Sequence, residues 1–113
     1  MNNMKRVFVC SPFRGDIEGN VRRTKKACLM AIDMGYAPYA PHLYLPFIGL
    51  DDNNEHQRAL GISVGIQYLK VCDEIWVFGP ETSGMKQEVA MAQTLGINIR
   101  KFPIEVLMKD EQC

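Results

Sequence analysis

The stretch "DEIWVFGPETSGMKQEVAMAQTLG", residues 73–96, decides the fold. Its first seven residues are dominated by β-branched and aromatic side chains and end in glycine, the strongest strand signal in the chain. Turn residues follow. From about Ser83 to Leu95 the pattern becomes helical, with Gly96 as its stop. Steps of three and four from Met85 reach Glu88, Ala92 and Leu95. A carboxylate therefore stands on or beside the stripe that this helix should bury, and that placement asks for a reason.

Working outward, "RVFVC" (6–10) reads as a strand that breaks at the turn signals "SPFRGD" (11–16). A helix is predicted from about Glu18 to Met34, with Val21, Thr24, Cys28, Ala31 and Ile32 along one side and Gly35 as its C-cap. "APYA" (37–40) is a weaker strand whose proline favours a sheet edge. A long connection rich in proline, aromatic and acidic residues follows, and loops of that length are often functional or mobile. A second helix runs from about Glu55 to Val71. Its Gly61 and Gly65 permit close packing against the sheet or against a second subunit. "INIRKF" (97–102) is the last strand, and "PIEVLMKD" (103–110) a terminal helical turn or short helix.

Strands alternating with helices predict an α/β, flavodoxin/Rossmann-like three-layer sandwich in one domain spanning residues 1–113. Its parallel sheet has four to five strands in the order 2-1-3-4. In such a sheet ligands bind beyond the carboxyl ends of the strands, where the order reverses. That point lies between the first and third strands. The loops "CSPFRGD" and "GPETSG" are thus expected to face each other.

Bulk composition narrows the function classes. The 113 residues carry no formal net charge, with 47% apolar and 23% charged residues, so bulk attraction to a nucleic acid polymer or an anionic membrane is not expected. The basic run Arg22 to Lys26 reads as the solvated face of the first helix. Cys10, Cys28, Cys72 and Cys113 have neither CxxC spacing nor a histidine nearby, which argues against a zinc site. They read as reduced, mostly buried thiols of a cytoplasmic protein. Neither a secretory signal nor a membrane span is apparent, and neither metal nor cofactor is expected.

The turn at residues 79–84 leads straight into a helix start. Backbone N–H groups from Thr82 through Met85, with the Thr82 and Ser83 hydroxyls, could hold a phosphate or carboxylate, and Gly84 would admit it close to the backbone. Plain N-capping is the alternative. Arg14 is the natural guanidinium partner of such an anion, or a surface arginine in a turn. Gly15 and Asp16 could simply form the turn into the first helix, and Asn20 points to the crevice or to solvent. His42 follows the second strand at the same sheet edge, as ligand contact or as hydrogen-bonded loop residue. Tyr44 and Phe47 stack on a planar ligand or cover the core, while His56 and Arg58 reach the mouth or solvent. Glu88, kept ionised by the positive helix end and shielded by apolar neighbours, suits nucleophilic attack on a sugar carbon. Its alternative is a boundary glutamate paired with Lys86 or Arg100.

Together "VFVCSPFRGD", "PYAPHLYLPFIGLDDN", "CDEIWVFG" and "SGMKQEVAMAQTLGI" resemble a small, often phage-encoded family related to nucleoside 2-deoxyribosyltransferases, a DUF4406-type domain. The resemblance implies N-glycosidic bond cleavage or deoxyribosyl transfer on a nucleoside or nucleotide. It places Ser11, Arg14 and Gly15 in the nucleotide-holding loop, Asp73 at a catalytic position at the start of the third strand, and Glu88 as nucleophile behind Ser83 and Gly84. It also implies a homo-oligomer, for which seven methionines and the small-residue second helix offer surface. One departure stands out. The related enzymes usually carry a further Asp on the helix before the third strand, and "ALGISVGIQYLKV" (59–71) has no acidic residue. Asp51, Asp52, Glu55 or His42 would have to substitute. The alternative function is a non-catalytic protein that binds a nucleotide-like signal.

Overall fold

The computed structural model describes residues 3–109. Four strands form one parallel sheet: β1 (Lys5–Cys10), β2 (Tyr36–Tyr39), β3 (Glu74–Phe78) and β4 (Asn98–Phe102), in the order β2-β1-β3-β4. Cys10 is in register with Val77, so β1 and β3 end side by side. The helices are α1 (Ile17–Asp33), α2 (Glu55–Leu69) and α3 (Ser83–Leu95). Short 3-10 turns at Pro41–Leu43, Pro46–Ile48 and Ile104–Leu107 complete the described elements. Among the described residues there is no fifth strand. No described helix is long and apolar enough to cross a membrane.

Alternation along the two central strands builds the layers. Phe8, Cys10, Ile75 and Val77 face Leu69 of α2 and Met85, Val89 and Ala92 of α3. Val7, Val9, Trp76 and Phe78 point the other way, onto Ala27 and Ala31 of α1 and onto Leu107. All five residues of β3 are buried, as a central strand covered on both faces requires. β2 pairs only with β1, so Pro38 does sit on an edge strand.

Two helical stripes differ from the expected ones. On α1 the fully covered residues are Gly19, Thr24, Ala27 and Ala31, while Ile32 is 53% exposed. Small side chains let that helix lie close to the sheet, and the larger apolar ones fall on its shoulder. On α3, Val89 joins Met85, Glu88 and Ala92 in burial, and Leu95, in the last turn, is left exposed. Gly96 ends α3 in the left-handed region at φ 72°. The first helix stops at Met34, with Gly35 just beyond it at φ 88°. Cys10 and Cys72 are buried and Cys28 partly so. Cys113 lies outside the described residues.

Asp73 departs most from its expected role. It immediately precedes β3, at the amino-terminal end of a parallel sheet whose binding crevice lies beyond the carboxyl ends. Its carboxylate accepts the Arg6 N–H at 2.8 Å, and its own N–H donates to the Arg6 carbonyl at 2.8 Å. These two bonds tie the start of β3 to β1. Replacing Asp73 with Ala is expected to cost about 1 kcal/mol in a urea unfolding series, a partly solvated charge-assisted bond, without changing ligand affinity measured by calorimetry.

Candidate functional site

A cavity of about 220 Å³ opens where β1 and β3 end, walled by the β1–α1 loop, the long connection after β2, the first turns of α2, and the start of α3. Arg14, His42, Thr82, Ser83, Gly84, Met85 and Glu88 all line it. Residues far apart in sequence thus meet at one hollow. Ser11, Gly15 and Asp73 are not among its lining residues.

Glu88 forms part of the floor. It is 6% exposed and lies beneath α2 beside Gly65, where an added Cβ would meet Glu88 Oε2 and the Phe8 ring at an ordinary contact distance of 3.8 Å. Among the described residues its hydrogen-bond partner is Cys10, whose thiol donates to Oε1 at 3.3 Å. Neither Lys86 nor Arg100 pairs with it, and Arg100 instead approaches Glu74. Burial pushes the Glu88 carboxyl up to about 7, only partly offset by the Cys10 hydrogen bond. Near neutral pH the group therefore populates both protonation states, where the positive helix start alone had implied a fully ionised one. Cys10 is held well above its usual range, first by burial and then by Glu88, so it stays a thiol donor.

The start of α3 is capped from within. Thr82 Oγ1 accepts the Met85 N–H at 3.4 Å, and the Thr82 N–H points to Met85 Sδ at 3.5 Å. Thr82 and Met85 thus act on each other as a cap. The N–H groups of Ser83 and Gly84, in the first turn, have no helical acceptor. Ser83 Oγ accepts from Arg58 Nη2 at 3.2 Å.

The opposite wall comes from the loop after β1. Asn20 Nδ2 donates to the Phe13 and Arg14 carbonyls, each at 3.0 Å, so Asn20 pins this loop and points neither to the crevice nor freely to solvent. Ser11 is buried against α1. Thr24 gives its own proton to the Asn20 carbonyl at 2.8 Å, which leaves Ser11 as donor to Thr24 Oγ1 at 2.8 Å. Gly15 supplies the turn at φ 93°, with open space where a side chain would go. His42 stacks on Phe13, with ring centroids 5.0 Å apart and planes at 27°. Desolvation lowers the His42 pKa, against the raising effects of a hydrogen bond to the Ser11 backbone and of Asp52, so burial favours the neutral ring.

The aromatic wall of the cavity escaped the reading of the sequence. Phe13, rather than Tyr44 or Phe47, is the aromatic wall; those two are 45% and 68% exposed and do not line the cavity. An aromatic residue in a strand-end loop was the available signal. Arg58 reaches the cavity and His56 does not; Asp52 reaches it and Asp51 and Glu55 do not. Arg14 Nε donates to Asp52 Oδ2 at 2.6 Å and Arg14 Nη2 to the Asp52 carbonyl at 2.6 Å. The facing residues of α2, Gln57, Arg58, Gly61 and Ile62, include no carboxylate.

A family model described as a domain of unknown function, DUF7768, matches residues 5–102. The chain belongs to that family. The match does not extend to a DUF4406-type label. This DUF7768 chain resembles in structure the 2-deoxyribosyltransferase of the psychrotolerant bacterium Bacillus psychrosaccharolyticus, with a TM-score of 0.69 and 17% identity over 87% of this chain and 72% of that one. It also resembles a 2-deoxyribosyltransferase from Leishmania mexicana, with a TM-score of 0.63 and 15% identity over 88% of this chain and 64% of that one, somewhat under two thirds. At such identities the likeness shows a shared fold. No curated protein matches the DUF7768 chain.

The raised Glu88 carboxyl makes a stability prediction. The folded state holds this proton more tightly than the unfolded chain, so stability from Glu88 is present below the ordinary value of 4.5 and is lost as pH rises through about 7. Glu88→Gln is expected to match wild type in urea unfolding at about pH 4 and to exceed it by up to about 3 kcal/mol at about pH 8.

Proposed function

We propose that the cavity binds a nucleoside or nucleotide and that Glu88 cleaves its N-glycosidic bond, by hydrolysis or by deoxyribosyl transfer. The observation that carries this reading is a buried carboxylate at the floor of a hollow whose rim holds two guanidinium groups and a helix start. In its ionised form Glu88 attacks the anomeric carbon. A C–O bond forms as the C–N bond breaks, and the electron pair leaves with the base, which then takes up a proton. Water or a second base displaces Glu88 from the glycosyl ester and restores the carboxylate. Phe13 and His42 offer apolar ring faces for a planar base. Arg14 and the N–H groups of Ser83 and Gly84 hold the polar end of the ligand. The fold shared with the two 2-deoxyribosyltransferases supports the assignment of chemistry.

A second reading has its own observation. Apart from Glu88, the described carboxyl on the cavity wall is Asp52, and it is committed to Arg14 through two contacts of 2.6 Å. With no carboxylate on the facing turns of α2, a departing base lacks an evident acid. That favours a protein that binds a nucleotide and leaves it intact.

Chromatography of free base after incubation with a panel of deoxynucleosides and deoxynucleotides separates the two. Glycosidic cleavage predicts base release that rises with pH to a plateau above about 7, following Glu88 ionisation, and that falls at least about a hundredfold in Glu88→Ala. Equal release by both proteins removes Glu88 as nucleophile, and tight binding with intact ligand establishes the second reading.

The same reading includes a homo-oligomer. Leu60, Val64 and Tyr68 form an exposed apolar row along α2, the helix that walls the cavity, and Val71 just beyond its end extends the row, at 37–56% exposure. Light scattering at micromolar concentration is expected to report a dimer or larger assembly, dissociated by Val64→Glu. A monomeric wild type refutes it.

A further inference from the structure

The mouth of the cavity already holds an anion of the protein's own. Asp52, in the turn before α2, lies between two cations from different elements. Arg14 Nε binds its Oδ2 at 2.6 Å, and Arg58 Nε lies 3.9 Å from its Oδ1. Arg58 in turn reaches the start of α3. Its Nη2 donates to Ser83 Oγ at 3.2 Å, and a Cβ at Gly84 would lie 3.6 Å from that same nitrogen. All five residues border one hollow.

The turn is built to present this carboxylate. Asp51 N–H donates to Gln57 Oε1 at 2.8 Å, Asn53 N–H donates to Asp51 Oδ1 at 2.9 Å, and Asn54 caps α2 by accepting the Gln57 N–H at 3.0 Å. Asp52 is thereby fixed between neighbours that are themselves held. Two guanidinium groups facing one carboxylate leave the rim with excess positive charge, and the first turn of α3 adds to it. A phosphoryl group, with more charge and three acceptor oxygens, satisfies both arginines and the helix start at once. A single carboxylate on one side of the mouth does not.

We infer that Arg14, Arg58 and the Ser83–Gly84 turn form a phosphoryl subsite in which Asp52 is the resident occupant, displaced when a phosphorylated ligand enters. This deepens the nucleotide-site reading above by naming its ligand class, a nucleoside 5′-monophosphate in preference to a free nucleoside. It assigns Arg58 to recognition and gives Asp52 a selective role. An uncharged ligand end cannot compensate the arginines for losing their carboxylate, so it leaves Asp52 in place.

The test compares wild type, Asp52→Asn and Arg58→Met by calorimetry with three probes: a 2′-deoxynucleoside 5′-monophosphate, the matching nucleoside, and inorganic phosphate. Circular dichroism confirms that each variant is folded. Asp52→Asn is expected to tighten the monophosphate and phosphate roughly tenfold, the worth of one charge-assisted bond, with nucleoside affinity unchanged. Arg58→Met is expected to weaken the same two probes by a similar factor. An Asp52→Asn protein that binds the monophosphate no better than wild type, or tightens the nucleoside equally, overturns the displacement. Failure of inorganic phosphate to bind even Asp52→Asn overturns the subsite. Phosphate binding without nucleotide binding upholds the subsite and instead refutes the nucleotide reading, so the two failures are told apart.

Discussion

Everything at the cavity depends on the parallel pairing of β1 and β3. With Cys10 beside Val77, the two central strands release their chains at the same level of the sheet. The chain after β1 carries Phe13 and Arg14, and the chain after β3 enters α3 within a few residues. Because right-handed crossovers put α1 on one face and α2 with α3 on the other, the reversal of strand order leaves a gap that no helix fills. The long connection after β2 and the first turns of α2 close that gap on one side only.

Within this frame the two buried glutamates show how burial and function diverge. Glu74 lies inside the other layer and accepts from Trp76 Nε1 at 2.8 Å and from the Tyr36 hydroxyl at 3.0 Å. It is a satisfied core carboxylate at the amino end of the sheet. Glu88 receives one thiol, a weak donor, and otherwise faces the hollow. Its burial is less well compensated, which is why its proton affinity rises. The two arginines above it are on the opposite side of the same balance: their charge is matched in part by Asp52, and the remainder is directed into the opening.

Much of the architecture was legible in residues alone. Short apolar runs rich in β-formers alternate with helical runs, and glycines at 35, 79 and 96 mark their ends with positive φ. Right-handed crossovers left few strand orders, of which the flavodoxin-like one is the order observed, and the proline of the second strand favoured a sheet edge. Arg14, His42, Glu88 and the turn at 82–85 followed because each adjoins a strand's carboxyl end or the helix beyond it. What was less legible concerned rotation and reach. The face of α1 is set by how closely its alanines approach the sheet, so Ile32 turned outward. Asp73 looked like a site residue by its resemblance to a known pattern, yet a parallel sheet puts the start of β3 a full strand length from the crevice.

The sequence by itself determined the succession of elements, the order of the sheet and the placing of an acidic residue within a buried helical stripe, because these rest on local periodicity and chain handedness. Only the tertiary structure decided that Asp52 bridges toward two arginines, that Phe13 and His42 stack, and that Cys10 is the donor to Glu88. The Arg14–Asp52 and Cys10–Glu88 contacts join residues 38 and 78 positions apart through side-chain packing, and no repeat along the chain encodes which side chains will meet. The acidity of Glu88 belongs with them, since it is set by the desolvation that packing imposes rather than by its neighbours in sequence.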